Sequence, residues 1–197
     1  APGCIGCTPD SIACDVLASP VVDSMAMSAS AVICTAAVDR DDEVILPAGV
    51  AVEDYRRNPV VLWEHGFLSE VYAPIAKCER PDGSLALVQN EREIEGTSYF
   101  TNRNQISEQI FALIDEGIVR ATSIHVDPAP GKARFSAETL PDGTSRKVLV
   151  FPETNLLEWS WGCIGVNPEA VAKVLGRNRL AGSQICGPLA KSLLPYA

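Results

Sequence analysis

Only two histidines occur in this chain, His65 and His125. Each is a candidate general base, because imidazole exchanges a proton near neutral pH more readily than any other side chain. His65 closes the run Val60-Val-Leu-Trp-Glu-His65 and precedes Gly66. A side chain there can project from a sheet edge into a cleft, although a histidine half-buried at a strand end needs no function. Ser123 and His125 share the run Arg120-Ala-Thr-Ser-Ile-His-Val126, and in a strand they point to one face because side chains alternate with a period of two. A serine becomes a nucleophile when a base lies within about 2.6–3.2 Å and a third group orients that base. Same-face neighbours on one strand are about 6.6 Å apart, too far for a direct Ser123–His125 bond but suitable for a third member. Glu158, inside Leu156-Leu-Glu-Trp-Ser-Trp161, either faces solvent, as most strand glutamates do, or orients an imidazole.

The elements around these residues read mostly as strands. Ala31 to Val38 is small and β-branched and ends at the acidic turn Asp39 to Glu43, after which Val44 to Leu46 is again apolar. Val50 to Arg57 fits two helical turns, stopped at Asn58-Pro59 because the residue before proline avoids the α region. A strand follows over Val60 to His65, with Val61, Trp63 and His65 on one face. Pro81-Asp-Gly83 and Pro141-Asp-Gly143 are matching hairpin tips. Between them Ile106, Ile110, Leu113 and Ile114 recur at helical spacing, with Asn102 or Asn104 as N-cap and Gly117 past the end. Ile118 to Val126 and Leu156 to Trp161 are strands, and Asn167-Pro-Glu-Ala170 opens a helix that Gly176 closes. About seven strands with two or three helices predict an α+β fold built on an antiparallel β-barrel. The domain spans 29–176, with an N-terminal extension at 1–28 and a basic C-terminal tail at 177–197.

Charge narrows the partners. Lys and Arg number 16 against 25 Asp and Glu, a formal net charge of −9, which disfavours an electrostatic grip on nucleic acid or an anionic membrane. The uncharged stretch Ser24 to Val38 is shorter than the ~20 apolar residues of a spanning helix. No basic segment precedes Arg40, so no secretory signal is expected. Seven scattered cysteines suit a reducing compartment. Cys4, Cys7 and Cys14 lack the second pair a structural zinc site wants, so a metal-binding module is the last-ranked reading and no metal or cofactor is expected.

Four blocks together carry a resemblance. Ala37-Val-Asp-Arg-Asp-Asp-Glu-Val-Ile-Leu-Pro47, Tyr55-Arg-Arg-Asn-Pro-Val-Val-Leu-Trp-Glu-His-Gly66, Gly117-Ile-Val-Arg-Ala-Thr-Ser-Ile124, and Leu156-Leu-Glu-Trp-Ser-Trp161 with Asn167-Pro-Glu-Ala170 resemble the prohead protease family of tailed bacteriophages, in the family's order. The match covers about residues 29–176. The resemblance implies a serine endopeptidase of capsid maturation with a fold similar to the herpesvirus assemblins, an antiparallel barrel flanked by helices. It also implies His65 as general base, Ser123 as nucleophile and Glu158 as the acidic third member. This chain has His125 where the family has a small residue two after the serine, and Gly162-Cys-Ile-Gly165 where the family often has an apolar run with proline. Because the assemblins pair serine with two histidines, His125 is the alternative third member. Implied substrates and partners are the major capsid protein with its scaffold segment and the chain itself, in a prohead interior within host cytoplasm, with a homodimer possible by analogy. The competing expectation is a non-catalytic shell or scaffold-associated component that retains the fold.

Overall fold

The computed structural model describes residues 21–67, 74–140 and 142–173, all within one compact unit, Ser19–Val174. Cys4, Cys7, Cys14 and the basic tail from Arg177 lie outside the described residues, as does Pro141 at the tip of the second hairpin. Among the described residues the fold is mixed α+β and mostly strands, with one α-helix. The strands are β1 (Val22–Asp23), β2 (Ser28–Thr35), β3 (Glu43–Ile45), β4 (Val50–Ala51), β5 (Val60–Trp63) and β6 (Ala76–Lys77). They continue with β7 (Leu87–Gln89), β8 (Glu93–Phe100), β9 (Ala121–Pro128), β10 (Arg134–Thr139), β11 (Ser145–Phe151) and β12 (Thr154–Gly162), and α1 is Gln105–Asp115. Nine strands form one curled, half-barrel sheet in the order β1-β2-β8-β6-β5-β12-β4, with β7 beside β8 and β9 beside β12. A second sheet runs β10-β11-β3.

Three expectations need correction. The sheets are mixed rather than wholly antiparallel: β12 runs parallel to β5 and β4, and β11 runs parallel to β3. A parallel pair needs a long crossover, and here most of the chain between β5 and β12 serves as one. Strands outnumber the expected seven or so because β1 and β4 are two-residue pieces too short to read from a pattern, and the eight-residue β8 is not among the expected strands. Ordered pairing also starts before Ala29, since β1 hydrogen-bonds to the start of β2.

Two of the expected helices do not form among the described residues. Val50 to Arg57 forms strand β4 and then a 3-10 turn at Tyr55–Arg57. Asn167 does cap a turn, its Oδ1 accepting from the Glu169 amide at 2.9 Å, but its Nδ2 donates to Thr35 and the chain stays extended. Residues 170–173 then hydrogen-bond on both sides: Thr122 N–H to Ala170 C=O and Ala172 N–H to Arg120 C=O at β9, Val32 N–H to Val171 C=O and Lys173 N–H to Ser30 C=O at β2. Tertiary pairing outweighs a weak local helix preference there.

The helix α1 forms as its spacing requires. Asn104 Oδ1 accepts from the Ile106 amide at 3.0 Å, Gly117 takes φ 73° past the end, and Ile110, Phe111 and Ile114 are buried against the sheet. Both hairpin tips also form. Gly83 and Gly143 each take φ 82°, and the Asp82 and Asp142 carboxylates accept from the amide and hydroxyl of Ser84 and Thr144. Those hydrogen bonds hold both carboxyls below the usual aspartate value. Trp159, Trp161, Leu156, Val61 and Ile94 are among the fully buried core side chains, and Gly96 on β8 leaves room for the Trp159 ring, which a Cβ would meet at 3.0 Å. No helix among the described residues is long and apolar enough to cross a membrane.

Candidate active site

β12 is the strand on which the site is built. On one side Trp159, Ser160 and Trp161 stand beside Val61, Leu62 and Trp63 of β5. On the other, Glu158, Trp159, Ser160 and Trp161 stand beside His125, Ile124, Ser123 and Thr122 of β9. Residues paired across a sheet share a face, so Ser123, His125, Glu158, Ser160 and Leu62 occupy one surface while both tryptophans, Ile124 and Val61 face the core. A bulge between Leu156 and Glu158 makes this possible. Without the extra residue Leu157, the strict period of two would put Leu156 on the face of Glu158 and Ser160. With it, Leu156, Trp159 and Trp161 are all buried and the carboxylate is turned the other way.

His65 does not continue β5. The strand stops at Trp63, and Glu64, His65 and Gly66 take φ 48°, 56° and 75°. This left-handed turn, closed by Phe67 N–H to Glu64 C=O at 3.0 Å, costs about 1–2 kcal/mol for each non-glycine residue in it. Its effect is to reverse His65. In an unbroken strand the register would put His65 opposite Cys163, five residues and about 17 Å beyond Glu158. Instead His65 Nδ1 lies 2.6 Å from Glu158 Oε1. The expectation that His65 shares the face of Val61 and Trp63 is thus corrected. The start of β5 is anchored by Tyr55, whose buried hydroxyl donates to Val60 C=O at 3.0 Å.

Of the two candidate partners for His65, Glu158 makes the hydrogen bond. His125 is exposed, its ring edge-on to His65 with centroids 6.4 Å apart. Glu158 is 8% exposed, and its second oxygen, Oε2, is buried with no hydrogen-bond partner among the described residues. Ser123 is half-buried on the same face, and no hydrogen bond joins it to His65 among the described residues. Arg120 donates through Nε to Gly117 C=O at 2.8 Å, which ties it to the end of α1.

Beside Ser123 a shallow open cleft of about 40 Å³ runs between β9 and the end of β2, bordered by Ile33, Thr35, Ala37, Ile124 and Val166, well below the volume of a small-molecule pocket. Asp39 and Glu43 also border it, and burial, then Asp39 and Asp41, push the Glu43 carboxyl up. Buried thiols offer no competing nucleophile: desolvation lifts Cys34 to about 12 and Cys78 to about 11, far from the thiolate form that reacts.

Sequence reasoning missed Glu64 and Gly162. Glu64 Oε1 accepts from the Cys163 amide at 2.6 Å, and the Glu64 carboxylate rests on Gly162. The adjacency of an acid, a histidine and a glycine at the end of a β-rich run was the available signal, since glycine is what a left-handed turn prefers. Comparison with family models, curated proteins and solved structures finds no match to this chain.

Proposed function

We propose that this chain is a serine endopeptidase of the prohead-protease kind, with Ser123 as nucleophile, His65 as general base and Glu158 as the group that orients it. The observation that carries this reading is the 2.6 Å His65 Nδ1–Glu158 Oε1 bond on the face that also bears Ser123. With the proton on Nδ1 and held by a carboxylate, Nε2 is left with a lone pair, the tautomer a base needs. His65 then takes the Ser123 hydroxyl proton as Oγ attacks a peptide carbonyl, and returns it to the leaving amine. Glu158 stabilises the imidazolium formed between those two transfers. On this reading the exposed His125, its ring centroid 6.4 Å from that of His65, is not the third member.

The bridges from Val171 to Ala121 and from Ala172 to Ala31 support a large sheet that closes toward a barrel, as an assemblin-like fold requires. On this reading the substrates are the scaffold segment of a capsid protein and the chain itself, cleaved inside a prohead in the host cytoplasm, by a single copy or a homodimer. A non-catalytic capsid component is the second reading, favoured by the lack of a Ser123–His65 hydrogen bond. Catalytic hydrogen bonds are often loose before substrate binds, so self-processing decides between the two. The full-length chain should trim itself on incubation and Ser123→Ala should not, with both equally folded; undiminished trimming by Ser123→Ala refutes the peptidase assignment.

A further inference from the structure

Glu64 and His65 are adjacent non-glycine residues held in the left-handed region, with Gly66 next. Such a turn persists only where its surroundings over-determine it. Two side-chain ties to β12 and its end do so here. One is the 2.6 Å bond from His65 to Glu158, and the other is the Cys163 backbone N–H donating to Glu64 Oε1 at 2.6 Å. Gly162, the last residue of β12, lies under that carboxylate, and a Cβ there would come within 3.1 Å of Glu64 Oε2. The first tie alone would ask the base to hold its own backbone in a disfavoured conformation. The second leaves the imidazole free to move a proton while the turn stays put.

We propose that Glu64 is a positioning residue: by accepting the Cys163 amide over the bare backbone of Gly162, its carboxylate clamps the left-handed turn to the end of β12 and holds the His65 ring at Glu158. Its consequence for catalysis rests on the peptidase reading, whereas its consequence for the ring's position does not. Glu64→Ala removes the acceptor. Glu64→Gln keeps one, the carbamoyl oxygen, and serves as the conservative rescue. Gly162→Ala leaves Glu64 in place and displaces its carboxylate from below.

The experiment uses the full chain and two readouts. The first is the low-field proton NMR resonance of the hydrogen-bonded His65 Nδ1–H, assigned by its loss in Glu158→Ala and its persistence in His125→Ala. It should be sharp in the wild type and in Glu64→Gln, broadened in Gly162→Ala and lost in Glu64→Ala, with the melting temperature of each variant recorded alongside. The second is the rate at which a serine-directed phosphonate labels Ser123. That rate should fall about 10- to 100-fold in Glu64→Ala, the cost of a misplacement of about 1 Å, and should largely recover in Glu64→Gln. A folded Glu64→Ala that keeps the resonance overturns the proposal. If Glu64→Ala does not fold, a sharp, unshifted resonance in folded Gly162→Ala overturns it instead. If the wild type is not labelled at all, the peptidase reading fails, and the resonance still decides whether Glu64 holds the turn.

Discussion

Consider Glu158→Gln, which keeps the shape of the side chain and removes its charge. Glu158 is 8% exposed, gives Oε1 to His65 Nδ1 at 2.6 Å and leaves Oε2 buried without a partner among the described residues. A buried polar atom left unpartnered costs about 1–3 kcal/mol, while a hydrogen bond to a charged group contributes about 1.5–3 kcal/mol. Glutamine keeps a polar atom toward His65 and still leaves its second one buried, so the weaker neutral contact is offset by the easier burial of an uncharged group. Neutralising the group should therefore shift stability by no more than about 1 kcal/mol, or about 2–4 °C in melting temperature for a domain of this size. The chemistry responds differently. If glutamine turns its NH₂ to Nδ1, the ring proton must move to Nε2 and the base is lost; if it turns its oxygen there, the imidazolium loses its counter-charge. The corresponding change in a serine–histidine–acid arrangement lowers turnover by about 10⁴-fold, or about 5.4 kcal/mol at 1.36 kcal/mol per tenfold. The assay is the second-order rate of phosphonate labelling, followed by intact mass, beside a thermal melt of the same sample. A folded Glu158→Gln labelled within tenfold of the wild type, or one whose activity falls only in step with unfolding, refutes the role given to this carboxylate.

Packing makes a second prediction: Gly96→Ala puts a Cβ 3.0 Å from the Trp159 ring and 3.3 Å from Leu87, so overpacking should cost about 1–3 kcal/mol in a urea titration, and an unchanged midpoint contradicts it. Glu43→Gln concerns pH. Burial, then Asp39 and Asp41, raise the Glu43 carboxyl in the folded state above its ordinary 4.5, so its contribution to stability is present below that value and lost as pH rises through the folded-state value. The variant should melt above the wild type at neutral pH and the gap should close in acid; a gap constant with pH contradicts the sign. Thiol mapping supplies the last: at mildly alkaline pH an alkylating agent should modify exposed Cys163 in the native protein and spare Cys34 and Cys78, held at about 12 and about 11, until the chain unfolds. Native-state labelling of Cys34 or Cys78 at the rate of Cys163 contradicts their burial.

Local chemistry made some elements legible in the sequence and long-range geometry hid others. The two Pro-Asp-Gly tips and α1 follow from rules that act within a few residues: a glycine at positive φ, an aspartate that bonds its own turn, an asparagine cap. The helix expected at Asn167 fails because its cap is also committed to Thr35, and residues 170–173 are claimed by β2 and β9. The parallel pairing of β5 with β12 joins segments far apart in the chain, and no local pattern records that. At the site, residue types pointed to His65, Ser123 and Glu158, and the structure brings His65 to Glu158 through two features that periodicity conceals. One is the bulge at Leu157, which re-phases β12; the other is the left-handed turn at Glu64–Gly66, which reverses His65. Each breaks the alternation on which strand reading depends.

The central claim is that Ser123 is an activated nucleophile, and covalent trapping tests it most directly. The full-length chain is incubated with a serine-directed phosphonate at neutral pH and the adduct is located by peptide mass mapping. The account predicts one stoichiometric adduct on Ser123, abolished by His65→Ala in a protein that still melts cooperatively. An adduct on any other residue, or none on a folded wild-type chain, contradicts it.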